Sequence, residues 1–243
     1  MLRPLPIPGL FVTGTDTHIG KTVVAAAIAR WFYRQGNIVA VLKPAASGCE
    51  HRREGLVSDD AELLAAASET RHPLDLICPN RFAEPLAPAV AARRANVPMD
   101  WPAVQRSIDI MAVGADVMIV EGAGGVLVPF DDRTLVRDVI HALNIPAVVV
   151  ARASLGTINH TLLTIESLRS AGVEVAGVVI NRYPPDVAGI AEETSPGEIS
   201  RIGKVPVLCL VPDEPFTPPH LPAGVMSAIG QVDWAKLAGK RVP

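Results

Sequence analysis

The sequence predicts an α/β fold: a single domain over residues 1–243, built on a mostly parallel, doubly wound sheet. Three observations lead there. Short, continuously apolar runs recur along the chain, as expected of strands buried on both faces, whereas half-exposed strands alternate. Longer segments of helical character separate these runs, so each connection crosses from one strand to a parallel neighbour. The chain has 243 residues, 49% hydrophobic and 19% charged; it can bury a sizeable core, and neither a repeat nor a linker divides it.

The first run, Leu10-Phe11-Val12, passes through Thr13-Gly14-Thr15-Asp16-Thr17-His18-Ile19 into Gly20-Lys21-Thr22-Val23 and an Ala-rich stretch that reads as helix to about Gln35. Strand, loop and helix in that order make an anion site. Backbone N–H groups converge on a phosphate, the helix N-terminus adds partial positive charge, and the lysine reaches the outer phosphates. Thr22 stands where a hydroxyl ligates Mg²⁺. Gly14 and Gly20 enclose five residues where the general pattern has four, and Thr15 holds a usual glycine position. A chance Gly-Lys-Thr on a surface turn would lack the flanking strand and helix. The fold is therefore expected to be of the P-loop NTPase type, with a nucleotide site here.

Residues 38–42 read as the second strand, and Lys43 stands at its end. Ligands of open parallel sheets bind beyond the carboxyl ends of strands, so Lys43 either faces the phosphates or is an ordinary strand-end lysine. Residues 44–56 read as loop, with the charge run Glu50-His51-Arg52-Arg53-Glu54 a solvated face. Ser58 then caps a helix whose first turn carries Asp59 and Asp60, where the helix dipole favours acids. Residues 70–88 are proline-dotted and read as irregular. Residues 86–94 and 101–113 form short helices, with Trp101 a packing residue.

Residues 117–120 make the third strand, which runs into Glu121-Gly122-Ala123-Gly124-Gly125. An acid at the tip of an apolar strand, followed by glycines that let backbone approach a ligand, is where P-loop enzymes hold Mg²⁺; most use Asp, and this chain has Glu121. A helix over 135–143 and a strand over 147–151 follow. The loop 152–156 then enters a helix near Thr157-Ile158-Asn159-His160, a second anion-binding helix start with Thr157 able to cap it. His160 lacks metal-ligating company and a Ser or Cys partner, so its role is structural. A fifth strand, 175–180, ends at Asn181, and a sixth spans 207–211. The Pro-rich end then wraps the surface with one helix over 225–237.

A formal net charge of −3 argues against nucleic acid or an anionic membrane as the main partner. No apolar run is long enough for a membrane span, and residues 1–9 lack the apolar core of a leader, so the expected location is the cytoplasm. Cys49, Cys78 and Cys209 are odd in number and far apart, and they read as reduced thiols rather than disulfides or zinc ligands.

Taken together, five ordered motifs resemble the dethiobiotin synthetase family along nearly the whole chain. They are Thr13-Gly14-Thr15-Asp16-Thr17-x-x-Gly20-Lys21-Thr22, Lys43-Pro44-x-Ala46-Ser47-Gly48, Phe82-Ala83-Glu84-Pro85, Val120-Glu121-Gly122-Ala123-Gly124-Gly125 and Leu155-Gly156-Thr157-Ile158-Asn159-His160. The five-residue loop spacing is itself a family feature. His18 departs from the acid often found there, so no role is carried over to its side chain. Asp60-Ala61 matches the family's Asp-Ala pair, although Asp59 precedes it.

The resemblance implies ATP-dependent carboxylation and ring closure. 7,8-Diaminononanoate and CO₂ give a carbamate, ATP phosphorylates it, and the second amine closes a cyclic urea with release of ADP and phosphate. It implies that Thr15, Asp16, Thr17, His18, Ile19, Gly20, Lys21, Thr22 and Val23 line the nucleotide together with Glu121, Gly122 and Gly124, and that Asn181 reads the base. Thr22, Asp60 and Glu121 would hold Mg²⁺, and Lys21 and Lys43 would act on the transferring group. Thr17 and Ser47 would lie at substrate or phosphate. Gly156, Thr157 and Asn159 would receive the substrate carboxylate of the other subunit of a homodimer. Two other readings compete. A cobyrinic acid amidating ligase would need a glutamine-hydrolysing domain, for which 243 residues leave no room. A partition-type ATPase switch would carry a second lysine early in the loop, and residues 14–19 contain none.

Overall fold

The continuously apolar runs do become the sheet. A computed structural model, which describes residues 2–184 and 188–239, begins with β1 (Gly9–Gly14), buried along its whole length. In chain order follow α1 (Lys21–Arg34), β2 (Val39–Leu42), β3 (Ala45–Ser47), β4 (Glu50–Arg52), β5 (Gly55–Val57), α2 (Asp59–Ser68), α3 (Leu74–Ile77), β6 (Asn80–Phe82), α4 (Pro88–Ala95) and α5 (Trp101–Met111). The second half contributes β7 (Val117–Glu121), α6 (Val136–Leu143), β8 (Ala147–Arg152), α7 (Thr157–Ser170), β9 (Val175–Tyr183), α8 (Ile190–Gly203), β10 (Val207–Pro212), α9 (Ala223–Gly230) and α10 (Trp234–Leu237).

The main sheet has six strands in the order β10-β9-β8-β1-β7-β2, every pair parallel. From β1 the chain winds one way through α1 to β2; from β7 it winds the other way through β8 and β9 to β10. Right-handed crossovers therefore put α1 on one face and α6, α7 and α8 on the other, and β1 lies where the winding reverses. Alanines 25, 26, 27 and 29, all buried, let α1 lie close to the sheet, and Val24, Ile28 and Phe32 fill the remaining space. Both faces of the strands are thus covered, which is why they read as unbroken apolar runs.

Several expectations are corrected. Residues 44–56 are not loop: β3 pairs in parallel with β6, and β4 pairs with β5 as an antiparallel hairpin. The charge run lies on that exposed hairpin, but it is ordered by contacts of Arg52 with Glu50 (3.3 Å), Asp59 (3.0 Å) and Glu62 (2.8 Å). Residues 70–88 contain α3 and β6 rather than only irregular chain. Asn181 lies within β9 instead of at its end, because the strand continues to Tyr183. The C-terminal helix is two helices, α9 and α10, with residues 231–233 between them. Asp233 caps the second by accepting from Lys236 N. Trp101 packs as expected, its ring edge-on to Phe130 at 5.7 Å. Among the described residues no helix is long and apolar enough to cross a membrane.

Candidate active site

The strand-end geometry brings the predicted motifs to one edge of the sheet. Thr15 N donates to Val150 O at 3.0 Å, which ties the phosphate loop to β8 as it leaves β1. His18 and Gly20 take the left-handed conformation, with φ of 56° and 85°. A Cβ at position 20 would stand 2.0 Å from Asn181 Nδ2, so glycine serves here both for its φ and for the close approach of β9. Asn181 itself is buried and donates Nδ2 to Ile19 O at 2.8 Å. Its carboxamide therefore braces the back of the loop and keeps its oxygen as an acceptor.

Lys21, buried at the start of α1, donates Nζ to Asp16 O at 2.7 Å, so its charge is folded back over the loop. Burial pushes its pKa down to about 8 against the pull of Glu121. Asp16 is held from the other side by Arg152, at 3.0 Å, from the end of β8. Arg152 escapes sequence reasoning, although its place at the carboxyl end of a parallel strand is the signal that could have found it.

The second cation is Lys43, 4% exposed and fixed by its N–H to Ile77 O at 2.7 Å. Its Nζ lies 2.6 Å from Asp60 Oδ2 and 2.7 Å from Glu121 Oε1. Thr22 Oγ1 completes the cluster at 2.8 Å from Asp60 Oδ1 and 2.9 Å from Glu121 Oε1. Lys43 is thus no ordinary surface lysine. Burial opposes its charge, but the two carboxylates outweigh burial and hold its pKa above the usual lysine range. Asp60 is held below the usual carboxylate range: burial opposes this, and Lys43 and the Thr22 hydroxyl prevail. Glu121, 1% exposed, is pushed up by burial against the pull of Lys43.

Ser58, not either acid, caps α2 by accepting from Ala61 N. Asp60 is the acid that reaches Thr22, whereas Asp59 points outward to Arg52 with a side chain 72% exposed. The glycine loop after β7 closes on the phosphate loop. Gly122 N donates to Val12 O at 3.0 Å, and Gly124, with φ of 60°, lies so near Thr17 that a Cβ there would stand 3.4 Å from its Oγ1. Between Thr15, Thr17, Val128 and Pro129 on one side and His160 and Thr164 of α7 on the other lies a cavity of about 560 Å³. Residues 126–129 and Leu163, Thr164 and Ser167 of α7 are walls that sequence reasoning missed, and they carry no motif; His160, expected to be structural, also lines the cavity.

The remaining predicted residues lie on β3 and at the start of α7. Ser47 ends β3 exposed, and Asn159 is exposed on the first turn of α7. Gly156 is the N-cap of α7 with φ of 91°, and no side chain caps the helix. Thr157 therefore does not cap as expected; it is the first helical residue, and its buried Oγ1 has no hydrogen-bond partner among the described residues. The three cysteines are free and buried. Burial raises all three thiols, Cys209 to about 12.

The chain has evident relatives. Residues 8–219 match the family described as an AAA domain. The protein named ATP-dependent dethiobiotin synthetase BioD from Anaeromyxobacter sp. (strain K) is 44% identical over 207 residues, covering 85% of this chain and 91% of the relative. Its namesake from Thermodesulfovibrio yellowstonii is 37% identical over 211 residues, covering 84% and 88%. That from Bacillus velezensis is 39% identical over 204 residues, covering 83% and 85%. Among solved structures, the MinC:MinD cell division complex of Aquifex aeolicus is similar with a TM-score of 0.60, 15% identity and 97% of each chain covered. The cell division ATPase MinD of Pyrococcus furiosus follows at 0.55, also at 15% identity, covering 96% of this chain and 98% of its own. Such low identity to the cell division ATPases speaks for a shared fold alone. The sequence relatives reach further: with 37–44% identity over more than four fifths of its length, this chain belongs to the ATP-dependent dethiobiotin synthetase family.

Proposed function

We propose that the protein is an ATP-dependent dethiobiotin synthetase acting on 7,8-diaminononanoate and CO₂. One amine of the diamine captures CO₂ and loses a proton to give a carbamate. A carbamate oxygen attacks the γ-phosphorus, and the bond to the β-phosphate oxygen breaks, releasing ADP. The second amine then attacks the carbamoyl carbon, the C–O bond to phosphate breaks, and the urea ring closes with loss of a proton. No covalent nucleophile of the protein is needed. What the protein must do is bring two anions together in a fixed geometry.

The observation that carries this reading is the buried Lys43 beside Thr22, Asp60 and Glu121, a second cation directly next to a phosphate loop that already has Lys21. Lys21 belongs to the nucleotide phosphates, with Thr15, Asp16, Thr17, His18, Ile19, Gly20 and Val23 around them and Gly122 and Gly124 closing the loop. Lys43 serves the carbamate side, with Thr17 and Ser47. The acceptor oxygen of Asn181 suits the exocyclic amino group of adenine. Thr22, Asp60 and Glu121 would hold Mg²⁺. The fit is supported by Glu121 Oε2, which is buried with no hydrogen-bond partner among the described residues, and by an all-oxygen donor set. When bound, the ion would neutralise charge on the transferring phosphoryl group.

The open start of α7, residues 156–159, would take the substrate carboxylate from a neighbouring subunit of a homodimer. No side chain caps this helix start, and Gly156 and Asn159 are exposed. The protein would work in the cytoplasm, with neither nucleic acid nor membrane as partner. Incubation with ATP, Mg²⁺, bicarbonate and the diamine should give ADP release that requires the diamine, with dethiobiotin detected by mass spectrometry. ADP release at the same rate without the diamine would contradict the proposal.

A further inference from the structure

Lys43 and a divalent cation would compete for the same two carboxylates, Asp60 and Glu121. Lys43 Nζ sits at 2.6 Å from Asp60 Oδ2 and 2.7 Å from Glu121 Oε1, and Thr22 Oγ1 lies at 2.8 and 2.9 Å from oxygens of the same two carboxylates. One hydroxyl proton can be donated to only one of those oxygens at a time, so a third oxygen is drawn into a crowd that a cation must hold together. A Mg²⁺ ion held by Thr22, Asp60 and Glu121 would draw on the same two carboxylates, with the unpartnered Glu121 Oε2 open to it. An ammonium on the same carboxylates would then lie within about 5 Å of a divalent charge, on a Glu121 side chain that is only 1% exposed, where like charges repel strongly.

We propose that Lys43 is the counter-cation of the Asp60–Glu121 pair until the divalent ion arrives, and that the ion, by neutralising those carboxylates, frees Lys43 to turn toward the anionic reactants. The proposal rests on the reading of Thr22, Asp60 and Glu121 as the metal-holding set. It makes metal binding and delivery of the second lysine a single event. Without the ion, Lys43 is spent on carboxylates; with it, the ammonium is available to the carbamate and the γ-phosphate. Lys21 differs, because its Nζ rests on a backbone carbonyl and competes with no carboxylate.

Mn²⁺, as a spectroscopic stand-in for Mg²⁺, tests this in the nucleotide-free protein by the paramagnetic resonance signal of the unbound ion. Lys43→Met should bind Mn²⁺ about tenfold more tightly than the parent or better, as expected for removing a like charge about 5 Å away. Lys21→Met, which removes a charge from the same pocket without freeing a carboxylate, should gain less than about threefold. Equal affinity in parent and Lys43→Met overturns the proposal, and so does an equal gain in Lys21→Met. A second readout uses the unsubstituted protein. Reductive methylation of Lys43, followed by peptide mass spectrometry with Lys204 and Lys236 as references, should rise severalfold when Mn²⁺ is added. An unchanged rate with Mn²⁺ bound overturns the release of Lys43 alone. Failure of the parent to bind Mn²⁺ even with ATP removes the metal assignment beneath it as well.

Discussion

Helices α1 and α7 open alike and end in different company. Each starts from a glycine N-cap in the left-handed conformation, Gly20 at φ 85° and Gly156 at φ 91°, and neither has a side-chain cap. At Gly20 the space where a Cβ would go is filled by Asn181, and the next residue is a buried lysine. At Gly156 nothing lies within 4 Å of that position, and the neighbouring Leu155 is 89% exposed. The same backbone solution, a helix start that no side chain caps, is thus walled in within the chain in one case and open in the other, although at α7 Thr157 N already donates to Ser154 O at 3.1 Å. Backbone geometry makes an anion site possible; the surrounding residues decide whether it is complete.

The largest expected effect separates the two cations of the completed site. Lys21→Ala and Lys43→Ala should each lower turnover by about 10³-fold or more, since each removes charge stabilisation of the transferring group. Calorimetric titration should show nucleotide binding lost in Lys21→Ala and retained within a few-fold in Lys43→Ala; equal losses would merge the roles. The comparison of helix starts is sharpened next by Gly20→Ala against Gly156→Ala. The left-handed conformation costs about 1–2 kcal/mol for a residue with Cβ, so Gly156→Ala should stay near that figure. Gly20→Ala should approach about 3 kcal/mol, because Asn181 must also give up its hydrogen bond to the loop. Denaturant unfolding that finds equal costs would deny that the first start is walled in.

A smaller effect concerns the two acids of α2. Asp60→Asn should raise the half-saturating Mg²⁺ concentration about tenfold, whereas Asp59→Asn, which loses only exposed contacts, should leave it unchanged and cost under about 0.5 kcal/mol. Mg²⁺ titrations of turnover distinguish them. The smallest effect is a proton count. With the Lys21 pKa near 8, about half of the free protein carries that lysine neutral at pH 8, and phosphate binding restores the charge. Nucleotide binding at pH 8 should therefore take up about half a proton, read from calorimetry in buffers of different ionisation enthalpy. The sign for folding follows the same shift: because the folded pKa lies below the unfolded one, this group's contribution to stability rises as pH climbs from about 8 toward 10.5.

What the sequence made legible was local. The phosphate loop, Lys43 and Glu121 each follow an unbroken apolar run, and the sheet does bring such strand ends to one edge. The small strands β3 to β6 were not legible. They are three residues long, partly charged, and depend on pairing across residues 45 and 80 or on the ion pairs of Arg52, none of which has a periodic signature. Helix α8 escaped because Pro196 interrupts its pattern. The choice between Asp59 and Asp60 needed the third dimension, since both suit a first helical turn, and only the packing of α2 against α1 turns one of them to Thr22.

The most direct test of the central contrast, one helix start complete within a chain and one proposed to be completed by a neighbour, is a subunit mixture. Lys21→Ala disables the first start and Gly156→Trp the second, so each protein alone should be inactive. Mixed in equal amounts with exchange verified by native mass spectrometry, they should recover about a quarter of the parental activity. Half the dimers are then mixed, and one of the two sites in each receives both intact halves. Mixtures that stay inactive after verified exchange would contradict the account and return the α7 start to the service of its own chain.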